Sequence, residues 1–79
     1  MERTIFKNFE KQHCRFKMKS GKEVYGVMWE EPENENKFKY YFSSSRDYQR
    51  LKAKLQTALY AVYQLDLNEI VYAERLAAA

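Results

Sequence analysis

Few residues in this chain have the types and spacing to do chemistry. His13 and Cys14 are its one histidine and one cysteine. By type both can ligate a metal or take part in nucleophilic catalysis. As neighbours on a strand, however, they point to opposite faces and cannot converge on one ion. Cys14 reads as a small core residue, and a single cysteine excludes an internal disulfide and fits a reducing compartment. The carboxylates of Glu30, Glu31, Glu33 and Glu35 lack the Asp-x-Asp spacing and Gly turn of a calcium loop. With Pro32, Asn34 and Asn36 they read as a mobile acidic loop over residues 30–36. Ser43, Ser44 and Ser45 are explained as a turn and a helix cap. There is no Gly-rich phosphate loop, paired-cysteine motif or nucleophile elbow. The expectation is a protein that is not an enzyme and holds no cofactor or metal.

The remaining chemistry is charge. The formal net charge is +3 over 79 residues, unevenly spread. Arg15, Lys17, Lys19 and Lys22 fall in one segment, and Lys37 and Lys39 in another with Tyr41. Arg46, Arg50 and Lys54 recur every four residues in a third. Cations interleaved with a stacking ring are the composition of a nucleic-acid face, so Arg15, Lys17, Lys19, Lys37, Lys39, Tyr41, Arg46, Arg50 and Lys54 form the candidate anion-binding set. The same residues also serve a lysine-dressed sheet edge or a soluble surface.

Three kinds of element must position these groups. From Cys14 to Met28 the chain reads as a β-hairpin: Cys14, Phe16 and Met18 alternate with Arg15, Lys17 and Lys19, and Ser20-Gly21 supplies the turn. A three-residue loop, Ser20 to Lys22, sets Met18 opposite Val24, Phe16 opposite Gly26 and Cys14 opposite Met28. A two-residue loop sets Phe16 against Tyr25 and Cys14 against Val27. We take the first, because it keeps Glu23 on the wet face and gives Gly26 a purpose, as a bend or as room for the Phe16 ring. Lys37 to Phe42 is a third strand with Phe38, Tyr40 and Phe42 on one face. From Arg46 to about Gln64, Tyr48, Leu51, Leu55, Ala58, Leu59 and Val62 recur at three and four, which predicts a long amphipathic helix lying over Phe16 and Phe38. Ser44 caps it, with Asp47 complementing the dipole.

Ile5, Phe6 and Phe9 fit a turn or two of helix with Thr4 as cap, and Thr4 to Asn8 also suits a strand. Asp66 to Leu76 reads two ways as well. Asp66 and Glu69 imitate a capping box, while Ile70-Val71-Tyr72 favours a strand that would cover the edge of the meander, and we take the strand.

The spacing of Cys14, Phe16, Met18, Gly21, Val24, Gly26 and Met28 resembles the first motif of Sm-like RNA-associated proteins, and the segment from Ile5 to Phe9 is similar to the short amphipathic stretch before it. The likeness covers about a quarter of the chain. It implies a barrel-like bend of the sheet. After Trp29 there is no Asp followed by the base-holding Asn of that family, and no Arg-Gly dipeptide in the second half, so no binding residue carries over.

Together these readings predict one small α+β domain over residues 1–76: an antiparallel meander packed by one long amphipathic helix, with a C-terminal strand. Residues 77–79, all alanine, have the look of a cloning remnant. No apolar run approaches the roughly 20 residues of a membrane span and no signal-peptide pattern opens the chain, so a cytoplasmic, non-membrane protein is expected. Trp29, Tyr41, Tyr60 and Tyr63 exceed what one helix-to-sheet seam can bury. That surplus points to a protein partner or self-association as the function, with weak, salt-dependent nucleic-acid binding as the alternative.

Overall fold

Alternation in the first hairpin produces the strands it predicts. The computed structural model describes residues 1–53 and 62–76. Helix α1 (Arg3–Phe6) precedes strands β1 (Cys14–Met18), β2 (Glu23–Asn34) and β3 (Lys37–Ser43). Helix α2 (Ser45–Lys52), β4 (Tyr63–Leu65), a single 3-10 turn (Leu67–Glu69) and β5 (Ile70–Arg75) follow. The five strands form one antiparallel sheet in the order β4-β3-β2-β1-β5. The first and last strands of that order are separated in sequence only by residues 66–69. Four residues reach at most about 14 Å, so the sheet must curl until its two edges stand near one another.

Gly26 is where the curl is made. β2 pairs with β1 through Gly26 and with β3 from Val27 onward. A Cβ at Gly26 would run into the Ser43 carbonyl oxygen and lie 2.8 Å from the Phe42 ring. The space that Gly26 leaves is therefore occupied by Phe42, not by Phe16 as its place in the hairpin suggested. The hairpin register also differs from the expected one by two residues: Cys14 faces Gly26 and Phe16 faces Val24. The turn is Lys19-Ser20-Gly21, closed by Met18 N–H to Lys22 O at 2.8 Å, with Gly21 at φ 91°. A left-handed residue must end this type of loop, and Gly21 is the residue that can. A shift of two leaves every side chain on its expected face.

The acidic segment 30–36 is not a loop. β2 runs to Asn34, and only Glu35 and Asn36 turn. Beyond Gly26 the strand has no partner on its β1 side, so the missing N–H of Pro32 breaks no ladder there. Glu33 is taken up by a register shift between Pro32 and Asn34.

The core lies inside the curl. Phe6, Cys14, Phe16, Met28, Leu67, Ile70 and Ala73 form it, with Met18, Val24, Tyr40 and Phe42 packed around them. Among the described residues the cover on this face is α1 and the 3-10 turn, and α2 takes no part in it. Phe6 is fully buried and meets Tyr40 edge-on at 5.1 Å. Thr4 lies within α1, whose cap position is Glu2.

The expected α+β domain with one long amphipathic helix is corrected by this arrangement. The chain is mostly antiparallel sheet, and α2 covers eight residues with none of them fully buried. α2 is capped as expected, Ser44 Oγ accepting from Asp47 N–H at 3.1 Å. It lies on the opposite side of the sheet from Phe16, with Tyr48 against Trp29 at 5.3 Å. The reason is that both faces of β2 need cover near its middle. Val27, Met28 and Trp29 are consecutive and all buried; Met28 faces the core, and α2 covers the side carrying Val27 and Trp29. Leu55 and Leu59 lie outside the described residues. Of the two readings of residues 66–76, the strand occupies Ile70–Arg75 and pairs with β1.

Candidate functional site

The candidate cations come from four elements that do not make one surface. Arg15 and Lys17 stand on the outer face of β1, opposite Tyr25 and Glu23 of β2 on one side and Glu74 and Tyr72 of β5 on the other. Arg15 is bound at 2.6 Å by Glu23 and at 3.5 Å by Glu74, with its guanidinium 5.5 Å from the Tyr72 ring centroid. Lys19 lies in the turn, its N–H donated to Glu69 O. Lys37 and Lys39 share the same face but pair with the far end of β2, Lys39 opposite Glu31 and 3.7 Å from Glu33. Glu23 and Glu31 are eight residues apart on β2, so the two basic groups are separated by about 26 Å of strand. Tyr25, Val27 and Trp29 stand between them.

Tyr41 is not a free stacking platform. It is half-buried and packs against Trp29 at 6.0 Å with 28° between the ring planes. Arg46 and Arg50 are on α2, where Arg50 faces Asp47 at 3.9 Å. Lys54 lies outside the described residues, as does Tyr60. Acids thus stand among the expected cations, which alternation within single strands does not reveal because each acid comes from a neighbouring strand.

The exposed aromatic surplus also lies elsewhere than expected. Trp29 is 7% exposed, its indole N–H donating to Glu31 at 3.3 Å. Tyr63 is exposed, as expected, but Tyr25, Val71, Tyr72 and Ile5 join it. Val71 and Tyr72 were hidden by a broken alternation. Ile70 pairs with Met18 and Tyr72 with Lys17, so Val71 is the extra residue of a register shift. Ile70 and Ala73 both face the core, leaving the two residues between them outward.

Apart from Tyr25, which stands on the central strand β2, these residues flank the two edges of the sheet that have no ladder among the described residues. No ladder joins β4 to β5 among the described residues. Beside β5 runs a groove of about 490 Å³ lined chiefly by Met1, Ile5, Ile70, Val71 and Tyr72. Beside β4 a second groove of about 390 Å³ is lined by Met18, Val24, Phe42, Tyr63 and Leu65. Each edge therefore combines strand backbone outside any ladder among the described residues with apolar side chains, the two things a further strand needs, while at β5 the Ile70 carbonyl already accepts from the Met1 amino group at 2.9 Å.

Cys14 is fully buried; desolvation pushes its thiol up, and the nearby Arg75 charge only partly opposes this. His13 is exposed and meets Ser45 through Nδ1. The two neighbours face apart, and no cluster of three metal-ligating side chains occurs among the described residues. No helix among the described residues is long and apolar enough to cross a membrane. No family model, curated protein or solved structure matches the chain.

Proposed function

We propose that this chain is a non-enzymatic, self-associating module in which the β4 edge of one copy adds to the β5 edge of the next. The observation that carries this reading is the pair of edges with no ladder among the described residues, with Val62 and Tyr63 exposed at one and Val71 and Tyr72 at the other. Strand addition satisfies the free backbone groups and covers those side chains together. Joining two different edges makes a heterologous contact, which closes into a ring or extends as a filament. The Sm-like spacing of the hairpin, a helical turn ahead of it and a bent five-stranded sheet support placing the chain near that class of small barrels. Cys14, single and buried, fits a cytoplasmic setting. Nucleic-acid binding is the weaker reading, because its cations are divided along β2 and interleaved with acids.

Size-exclusion chromatography with light scattering tests the proposal. Wild type is expected to run as an oligomer. Val71→Lys and Tyr63→Lys, each at an exposed position, are expected to give monomers that remain folded. Mixed together, these two variants keep one intact edge each and should form a dimer and nothing larger. A wild-type monomer at the highest soluble concentration, or variants that assemble like wild type, overturns it. Titration of labelled single-stranded RNA at two salt concentrations addresses the other reading, since phosphate contacts weaken steeply with salt.

A further inference from the structure

The segment leading into β1 and the flank of α2 enclose a further concavity, away from both sheet edges. It measures about 210 Å³ and is lined by Lys11, His13, Ser45, Tyr48, Gln49 and Lys52, with Val27 as its floor. Two features show that it is built by the tertiary fold. Lys11 has φ 61°, a left-handed conformation seldom adopted outside Gly, Asn and Asp, and its N–H is tied to Met28 O at 2.8 Å. His13 Nδ1 meets Ser45 Oγ across 32 residues of sequence, joining the two walls. The Lys52 ammonium lies 5.7 Å from the Tyr48 ring centroid on the same flank.

We propose that this concavity binds a tetrahedral oxyanion, a phosphate group free or esterified, between Lys11, His13, Ser45 and Lys52. Two ammonium groups supply charge, and the hydroxyl and imidazole supply directed hydrogen bonds. With a neutral imidazole, Ser45 Oγ–H donates to Nδ1 and is spent on it. With an imidazolium, Nδ1–H donates to Ser45 Oγ, which frees the hydroxyl proton for the anion, and Nε2–H becomes a second donor of positive charge. Among the described residues, the other titratable groups lining the concavity are Lys11 from the same segment as His13 and Tyr48 and Lys52 from α2. Burial first, then the Glu10 charge, pushes the Tyr48 phenol up, and Glu10 is held at 3.1 Å by Lys7.

The probe is sulfate. Backbone amide shifts are followed on titration, with inorganic phosphate and methyl phosphate as parallel arms. His13→Gln should bind sulfate about tenfold or more weakly than wild type, the worth of one charge-assisted hydrogen bond. Lys52→Ala, and Lys11→Asn, which tolerates the left-handed backbone, should also weaken binding while leaving the spectrum of the free protein folded. Methyl phosphate binding as well as inorganic phosphate identifies an ester as the natural ligand; binding of the inorganic ions alone identifies the free anion. Shifts that do not localise to residues 11–13 and 45–52, or a sulfate affinity equal in wild type and His13→Gln, overturn the proposal.

Discussion

Arg3 grips Glu30 with two hydrogen bonds, Nε to Oε2 at 3.0 Å and Nη2 to Oε1 at 2.7 Å, while its guanidinium lies 4.1 Å from the Phe38 ring centroid. Lys7 adds a third contact to the same carboxylate at 2.6 Å. The Glu30 side chain is only 6% exposed. Through this carboxylate α1 is fastened across β2 and β3, so that Phe6 is kept in the core.

Replacing Glu30 with Ala should therefore loosen the cover of the core as well as remove a surface charge. Loss of charge-assisted hydrogen bonds at a nearly buried carboxylate costs about 2 kcal/mol, which in a domain of this size lowers Tm by roughly 10 °C. Arg3→Ala should cost less, since Lys7 still reaches Glu30. Thermal melts of the two variants check the order.

The same carboxylate sets an acid limb. Burial pushes Glu30 up, but the hydrogen bonds from Arg3 and Lys7, with their charges, outweigh it and hold the group below its ordinary value of 4.5. A depressed carboxylate contributes stability that is complete above the unfolded value and disappears as pH falls through the folded one. Tyr40 gives the alkaline counterpart. Desolvation first, then the Glu30 charge, pushes its phenol above 10.0, so its contribution is complete below that value and is lost as pH rises through the folded one. Denaturant melts should show Glu30→Gln flattening the fall below about pH 4.5 and Tyr40→Phe flattening the fall above about pH 10.

Gly26→Ala should prevent folding or lower stability by more than about 3 kcal/mol, because the added methyl meets backbone as well as a ring. The double variant Gly26→Ala with Phe42→Ala separates the two obstacles. Removing the ring leaves the Ser43 carbonyl in place, so little stability should return. Circular dichroism melts showing full recovery in the double variant would place the bend in the side chains rather than in the chain path.

Trp29 is the chain's one tryptophan and reports directly on α2. Tyr48→Ala removes the ring packed against it, an attraction worth about 1 kcal/mol beyond burial. Its emission should shift to the red with the sheet still folded. Unchanged emission would mean that α2 does not cover this face.

Much of the local structure is readable along the chain because it depends on neighbours in sequence. Alternation over Cys14 to Lys19 and Lys37 to Phe42 marked two strands and which side chains share a face, each within one residue of the observed bounds. Ser44 with Asp47 marked the start of α2, since a cap is made within four residues. The three-residue length of the hairpin loop was read correctly, but its position was missed by one residue because Gly21 has to end the loop and not sit at its middle, and the faces survived because the resulting register error was an even number. The acidic stretch was misread because charge and Pro32 argue for a loop only where both strand edges are paired, and pairing is not a local property.

The candidate site was legible as residue types but not as a surface. Each basic pair was identified along its own strand, yet Glu23, Glu31 and Glu74 are brought beside them by partners from elsewhere in the chain, and β2 carries the two pairs apart. Local patterning sufficed for β1, β3, the first half of β2 and the helix cap, while it read the end of β2 as a loop and Tyr63-Gln64 of β4 as the end of a helix. Which face α2 covers, that α1 and the 3-10 turn cover the core among the described residues, and that β4 and β5 stand at the edges came from the fold as a whole. Those outcomes follow from the bend at Gly26 and the four-residue link between β4 and β5, because curling a sheet turns one face into an interior that local patterning cannot distinguish from the other.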